Sequence, residues 1–150
     1  MQRAVELAQQ AVHADRGGPF GAVLVFDGVI IGEGANDVLG SNDPTAHAEI
    51  VAIRRACAQL GTFRLPGAAL YATSEPCPMC LAAICWARVE RVYFANTKEA
   101  AAAIGFDDSL FYAQLALPVE RRDLPMQRVA SPSAALLFDM WANKLDRTRY

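Results

Sequence analysis

The sequence predicts an α/β domain in which strands alternate with helices. Two apolar, β-branched runs, 20–26 and 29–34, are joined by Asp27-Gly28, a dipeptide that favours a two-residue hairpin turn. Residues 46–60 instead place apolar side chains every three or four positions, which indicates a helix with one buried stripe. Further strand-like and helix-like segments follow in turn, and this alternation is typical of helical layers packed on a sheet.

Local sequence signals predict the helices and strands in the first half of the chain. An amphipathic helix is predicted over residues 1–15, and Gly17-Gly18-Pro19 ends it. Both hairpin strands are apolar on both faces, which indicates a sheet covered on each side. After a polar loop over 36–43, the second helix runs to Gly61, and its predicted buried stripe consists of Ala46, Ile50, Ile53, Cys57 and Leu60.

The second half continues the alternation. Strands are predicted at 69–73, 91–95 and 126–130, and helices at 77–88 and 98–103. Ser131-Pro132 is suited to the cap and first residue of a final helix. We find no repeat or linker, so residues 1–150 are predicted to form a single domain.

Composition and charge restrict the kind of partner. The 150 residues are 53% hydrophobic and 20% charged, which is typical of a globular chain, and no apolar run is long enough to span a bilayer. The N-terminus lacks the apolar core of a secretory signal, so we expect a cytoplasmic protein. With 14 basic against 16 acidic residues and no basic cluster, a small neutral substrate is expected rather than nucleic acid or a membrane.

Three residues have the pattern of a catalytic zinc site. Cys77 and Cys80 are three apart at the start of a helix, so both sulfurs face the same way, and the helix dipole there favours thiolates. His47 opens another helix, and Glu49 lies two residues further on. One imidazole and two thiolates suit one Zn²⁺ per chain and leave a fourth position for water or hydroxide.

The other cysteines do not suit a fourth ligand. Cys85 lies beyond Cys80 along the same helix, and Cys57 lies about three helical turns from His47, so both are interpreted as small core residues. A C-x-x-C pair alone also occurs in redox motifs and structural zinc sites. H-x-E followed by P-C-x-x-C is more specific, because it is the signature of the zinc nucleobase deaminases.

On these residues the chain resembles the cytidine deaminase superfamily, and over nearly its full length it resembles the bacterial guanine deaminases. The resemblance rests on 17–23, on the zinc-site segments 41–49, 75–80 and 86–88, and on the tail from Trp141 to Tyr150. Its most diagnostic part is Gly105-Phe106-Asp107-Asp108-Ser109, followed by Phe111-Tyr112.

The resemblance implies a three-layer α/β/α fold around a mixed five-stranded sheet. It implies hydrolysis of guanine to xanthine and ammonia, in which zinc-activated hydroxide attacks C2 and Glu49 carries protons. It also implies a homodimer in which residues 131–150 cross over to cap the partner's active site. The alternative is that this last helix packs on its own subunit.

The resemblance assigns further site residues. Asp108 is the candidate for a second catalytic carboxylate, although Asp107-Asp108 is also a good cap for a following helix or turn. The candidates for contact with the base are Asn36, Phe20, Ala48, Trp86 and Tyr150. Asn36 also suits a turn, the two aromatic residues also suit a core, and a terminal tyrosine is ordinarily frayed.

Other functions share the metal motif. A tRNA adenosine deaminase has the same 43–49 segment and the P-C-x-M-C motif. Three features argue against it: Gly-Pro-Phe-Gly at 18–21 in place of a Pro-Val-Gly type, Gly-Phe-Asp-Asp-Ser at 105–109 in place of small residues, and a last helix without a basic tail. A cytosine or cytidine deaminase is barely distinguished by the metal site. An inactive deaminase fold used as a binding module is disfavoured by Glu49, since a carboxylate beside the ligands has little structural reason to be there.

Overall fold

Four strands form one mixed sheet in this computed structural model, which describes residues 1–149. In spatial order β2-β1-β3-β4, β1 pairs antiparallel with β2 and β3, and β3 pairs parallel with β4. The strands are β1 (Gly21–Phe26), β2 (Val29–Ala35), β3 (Ala69–Ser74) and β4 (Arg91–Asn96).

The predicted fifth strand at 126–130 is not formed, so within the described residues the sheet has four strands. The segment follows Pro125, and its residues are exposed and pair with no strand in that part of the chain. The expectation of five strands was therefore wrong for the described chain, because a strand needs a partner as well as local sequence.

The helices belong to two compact units, Met1–Tyr112 and Ala113–Tyr150. The first unit contains the sheet and most helices, and α6 begins in it and ends in the second. A 3₁₀ turn, Val119–Arg121, precedes the last helix. The helices are α1 (Gln2–His13), α2 (Val38–Ser41), α3 (Ala48–Leu60), α4 (Pro78–Trp86), α5 (Lys98–Ala103), α6 (Ser109–Ala116) and α7 (Pro132–Asn143).

The hairpin turn is confirmed. Asp27 and Gly28 have φ angles of 49° and 76°, the left-handed pair that a type I′ turn requires. The predicted loop 36–43 differs from the structure, since it contains the short helix α2. The serine cap of the last helix is confirmed, because the Ser131 hydroxyl accepts a hydrogen bond from the Ala134 amide at 3.2 Å.

Alternating side chains of β1 join two cores on opposite faces of the sheet. Val23 packs with Ala4 and Leu7 of α1, whereas Leu24 belongs to the larger core with Ala52 of α3. That core also includes Ile84 of α4. The first unit therefore has the predicted α/β/α layers. Among the described helices, none combines the length and the apolar character that a membrane crossing requires.

The buried face of α3 differs from the predicted stripe. Ala48, Ala52 and Ala56 are buried, whereas Ile50, Ile53 and Cys57 are only partly buried and Leu60 is exposed. The cause lies on β2, where a Cβ at Gly34 would be 2.1 Å from the Ala48 carbonyl oxygen. Glycines on the strand and alanines on the helix let the two backbones approach closely, and the larger side chains are displaced to the flanks.

Candidate active site

The starts of two helices carry the three predicted metal ligands. His47 is the N-cap of α3, Cys77 is the N-cap of α4, and Pro78 occupies the first turn of α4. Cys80 lies in the same turn and is fully buried. Side chains in a first helical turn lean toward the N-terminus, so the two helices direct these three residues to one point.

The distances fit one tetrahedral metal ion. Nδ1 of His47 is 3.5 Å from Sγ of Cys77 and 3.5 Å from Sγ of Cys80, and the three ligand atoms lie within 4.8 Å of one another. Zinc–sulfur and zinc–nitrogen bonds of ordinary length at a tetrahedral angle require about 3.6 Å between S and N. This arrangement matches a site for one Zn²⁺ with three protein ligands.

The protonation of these residues also suits a cation. Hydrogen bonds from Cys80 and His47 lower the pKa of Cys77 to about 4, so this residue is a thiolate at neutral pH. The pKa of Cys80 is raised, because that thiol keeps the proton shared with Cys77. The hydrogen bond with Cys77 raises the pKa of His47. A metal ion would replace the shared proton.

Glu49 is a buried carboxyl group beside the ligands. It is 7% exposed and lines the same cavity as His47 and Cys77. Burial raises the pKa of Glu49 and the nearby Cys77 charge raises it further. A carboxyl group with a raised pKa in a cleft has the protonation behaviour of a general acid–base group.

The cavity in front of the metal ligands has a volume of about 440 Å³, which is within the range of small-molecule sites. The structure brings most of the predicted site residues to it. Those lining the cavity are Phe20, Asn36, His47, Glu49, Cys77 and Asp108.

Asn36 is held in one orientation by backbone amides. Its side-chain oxygen accepts hydrogen bonds from the amides of Gly18 at 3.3 Å and Val38 at 3.4 Å. A Cβ at Gly17 would lie 2.1 Å from that oxygen and 2.8 Å from the Asn36 backbone carbonyl oxygen, so a larger residue there would displace Asn36. The bond to Val38 is the turn-type contact that the alternative interpretation expected. The oxygen is therefore engaged by the backbone, and Asn36 lines the cavity.

The two neighbouring aspartates have different roles in the structure. Oδ1 of Asp107 accepts a hydrogen bond from the Ser109 amide at 2.9 Å, which caps the start of α6. Asp108 contributes its backbone carbonyl, which accepts from the Phe111 amide at 2.9 Å. Burial raises the pKa of Asp108, as does the Cys77 charge. The capping function thus belongs to Asp107, and the Asp108 carboxyl group lines the cavity.

The other candidates for contact with the base differ in whether they line the cavity. Phe20 contacts Phe106 edge to face, with ring centroids 4.8 Å apart. Trp86 does not line the cavity: it is the last residue of α4, two turns from the ligands, and 60% exposed. The Ala48 side chain is buried under β2, although its amide lies in the first turn of α3, where amides have no partner within the helix. Tyr150 lies outside the described residues.

Sequence reasoning missed Phe106 and Lys98, which also line the cavity. Phe106 has a signal in hindsight, because it stands between Gly105, whose φ of 96° favours glycine, and the two aspartates. Lys98 has no such signal. Its position at the cavity follows from where β4 ends and α5 begins.

Comparison with known proteins gives matches that cover the chain. Residues 1–96 match the cytidine and deoxycytidylate deaminase zinc-binding region. Guanine deaminase of Bacillus subtilis is 49% identical over 150 residues, covering 100% of this chain and 96% of that protein. The solved structure of that enzyme superposes with a TM-score of 0.95, covering 99% of this chain and 95% of that one.

Two further matches cover less of the chain. A tRNA-specific adenosine deaminase of Agrobacterium fabrum is 58% identical over 76 residues, which is 51% of this chain and 50% of that protein. A guanine deaminase structure from Nitrosomonas europaea, 35% identical, gives a TM-score of 0.68 and covers 72% of this chain and 63% of that one. The metal ligands, the buried acid and the full-length similarity lead to one conclusion: the chain belongs to the cytidine and deoxycytidylate deaminase family of zinc-binding hydrolases and is a homologue of guanine deaminase.

Proposed function

We propose that this protein hydrolyses guanine to xanthine and ammonia. The observation that carries the proposal is the full-length similarity to a guanine deaminase, which includes the part of the chain after residue 96. The match to the Agrobacterium tRNA adenosine deaminase covers only half of the chain. The metal site is common to both groups, so the choice of substrate depends on the remainder.

The reaction replaces the C2–N bond to the amine of guanine with a C2–O bond. When bound, Zn²⁺ supplies an activated water as nucleophile at neutral pH. Glu49 accepts the proton of that water and delivers it to N3 of guanine as the C2–O bond forms. The buried position and raised pKa of Glu49 support this task, because the group can hold a proton and release it again.

Asp108 is the second acid in the proposed reaction. The C2–N bond breaks only when the amine leaves as ammonia, so a proton has to reach that nitrogen. The Asp108 carboxyl group lines the cavity, and burial raises its pKa. It donates a proton to the leaving nitrogen and takes up the proton of the C2 hydroxyl as the C2 carbonyl forms, so that Asp108 ends the reaction in its starting state. Asp107, whose carboxylate caps α6, is not assigned to this step.

Base recognition is proposed to use donors and aromatic faces. Guanine presents two acceptors, N7 and O6, on one edge, whereas adenine presents one acceptor and an amino donor there. The N–H donor of Asn36 therefore favours guanine, and the Ala48 amide can add a second donor. Phe20, supported by Phe106, offers a surface for the purine ring. A contact from Tyr150 remains part of the proposal.

The C-terminal segment is proposed to cap the site of a second copy. Within its own unit, α7 leaves large apolar side chains exposed: Leu136, Leu137, Phe138, Met140 and Trp141. Apolar surface of this extent is typical of a protein–protein contact. We therefore propose a homodimer in which residues 131–150 of each chain, part of one catalytic domain over residues 1–150, cover the partner's cavity.

A reducing compartment suits this site. The four cysteines are free, and thiolate ligands would be lost to oxidation elsewhere. This supports the cytoplasm as the place of action.

Ammonia release from purified, zinc-loaded protein tests the substrate assignment. We expect turnover of guanine and much slower release from adenine, cytosine and guanosine. A tRNA anticodon stem-loop containing adenosine is the discriminating control. Conversion of that RNA without turnover of guanine would contradict the proposal and make the protein a tRNA adenosine deaminase.

A further inference from the structure

Tyr112 connects α6 to the metal site. Its hydroxyl donates a hydrogen bond to the Pro76 carbonyl, next to the ligand Cys77, at 3.5 Å. Its amide is 3.3 Å from the carbonyl oxygen of Asp108, which lies four residues earlier, one helical turn away. Tyr112 thus joins the turn that carries Asp108 to the segment that carries a metal ligand.

Lys98 contacts the ring of Tyr112. Its ammonium nitrogen lies 4.7 Å from the centroid of the Tyr112 ring, which is within the range of a cation–π contact. The Lys98 amide donates to Oε2 of Glu75 at 3.2 Å, and the Glu75 amide donates to the Asn96 carbonyl at 2.8 Å. The first turn of α5 is therefore attached to the segment just before the metal ligands, and Lys98 reaches from it to α6.

The loop before Asp108 has little other support. Ile104, Phe106 and Leu110 around it are largely exposed, so no buried core holds Asp108 in place within the first unit. The attachments of this loop are the Asp107 cap, the edge-to-face contact of Phe106 with Phe20, one tyrosine and one lysine. A catalytic acid needs a position accurate to a fraction of an ångström, so these contacts matter for rate.

We propose that Lys98 and Tyr112 are positioning residues, which hold the Asp108 carboxyl group against the substrate cavity. This inference rests on the proposed role of Asp108 as the second acid. Neither residue is assigned to contact the reacting atoms. Lys98 also places a positive charge near Asp108, where Asp107 and Cys77 place negative ones.

Three variants test the inference in the zinc-loaded enzyme with guanine as substrate. Lys98→Met keeps the aliphatic stem and removes the charge, and Lys98→Arg keeps a cation over the ring. We expect Lys98→Met to lower kcat about fivefold, the factor that an exposed cation–π contact supplies, with KM changed less than about twofold. Lys98→Arg should keep the wild-type kcat. Tyr112→Phe keeps the ring but loses the hydroxyl, so its kcat should lie between those of Lys98→Met and Lys98→Arg.

Combination with Asp108→Asn shows whether Lys98 acts through Asp108. If it does, Lys98→Met has no further effect on kcat in the Asp108→Asn background, since the group being positioned is already gone. If Asp108→Asn is slow but Lys98→Met has the wild-type kcat, or if their effects multiply, the inference is wrong while the role of Asp108 stands. If Asp108→Asn itself has the wild-type kcat, the proposed role of Asp108 fails and the inference fails with it.

Arg128→Met is the matched control, because it removes an exposed cation that does not line the cavity. It should leave kcat, KM and zinc content unchanged. Zinc content should also be unchanged in both Lys98 variants, since Lys98 is not a ligand. A loss of zinc from Lys98→Met would indicate a structural defect and overturn the positioning role.

Discussion

Glu49 is a carboxyl group that the fold keeps almost out of water beside three metal ligands. Burial of an ionisable group without a salt bridge is unfavourable for folding, and within the described chain no ion pair involves Glu49. This arrangement is explained when the group moves protons in a reaction. It is not explained by stability.

Glu49→Gln tests this explanation at the level of one residue. The amide keeps the shape of the side chain but cannot accept and return a proton. We expect turnover of guanine to fall at least about a hundredfold, while zinc remains bound at one ion per chain. Steady-state kinetics and metal analysis of the same preparation measure both quantities.

The matched control is Glu90→Gln, the same substitution at an exposed glutamate that precedes β4. It should retain the wild-type rate. Near-normal turnover in Glu49→Gln would exclude Glu49 as the proton carrier. Loss of zinc in that variant would mean instead that the carboxylate supports the metal ligands.

At the level of elements, the contact between β2 and α3 places the start of α3 against the sheet. Gly32 and Gly34 face the backbone of α3: a Cβ at Gly32 would be 2.4 Å from the Ala52 carbonyl oxygen. Because His47 and Glu49 lie at the N-terminal end of α3, this close packing also sets the depth of the metal site. A larger strand residue would move the helix and the ligand together.

Gly34→Ala should therefore affect both stability and metal binding. The new methyl group would overlap the Ala48 carbonyl, so we expect a loss of about 1–3 kcal/mol in the free energy of unfolding and weaker zinc retention. Urea denaturation and competition with a zinc chelator measure these effects. Stability and zinc affinity equal to the wild type would show that the helix is not held by this contact.

Gly61→Ala tests the effect of backbone strain without the steric overlap that Gly34→Ala introduces. Gly61 ends α3 with a φ of 64°, and a Cβ added at this position would meet no other atom within 4 Å. Alanine there should cost about 1 kcal/mol through its left-handed conformation alone. Zinc retention should not change, because the strain lies at the end of α3 away from His47.

For the whole molecule, the proposed exchange of C-terminal segments predicts complementation between two inactive chains. One chain carries Glu49→Gln with an intact tail, and the other has wild-type Glu49 but lacks residues 146–150. In a mixed dimer, the intact tail of the first chain covers the intact site of the second. Co-expression should restore activity to about a quarter of the sites if the chains pair at random.

The same mixture behaves differently without exchange of segments. If each tail covers its own subunit, no site has both Glu49 and a tail, and the mixture stays as inactive as its components. Full activity of the truncated chain alone would exclude any function of residues 146–150. Size-exclusion chromatography with light scattering should show a dimer for each preparation.

Much of the metal site could be predicted from the sequence because its determinants are local. His47, Cys77 and Cys80 lie at helix starts, and a helix start is specified by its caps, by a proline such as Pro78 and by the periodicity that follows. The hairpin turn at Asp27-Gly28 is local in the same way. Neither feature needs a distant residue to decide it.

The remaining features depend on which segments meet in space. The buried face of α3 was predicted from side-chain size, but glycines on β2 selected its alanines instead. Trp86 lies at the end of α4 and does not line the cavity of its own chain, so its predicted contact with the base stays a prediction. The 126–130 segment has strand-like residues without a partner strand among the described residues.

The sequence by itself thus determined the type of fold, through the alternation of its elements, and the zinc ligands and adjacent acid, through short spacings at two helix starts. Only the tertiary structure placed the Asp108 carboxyl group at the cavity, joined the Asn36 side-chain oxygen to the Gly18 amide, and brought Lys98 to Tyr112. These outcomes follow from contacts between residues far apart in the chain. Their geometry exists only once β1, β3 and β4 are paired in register.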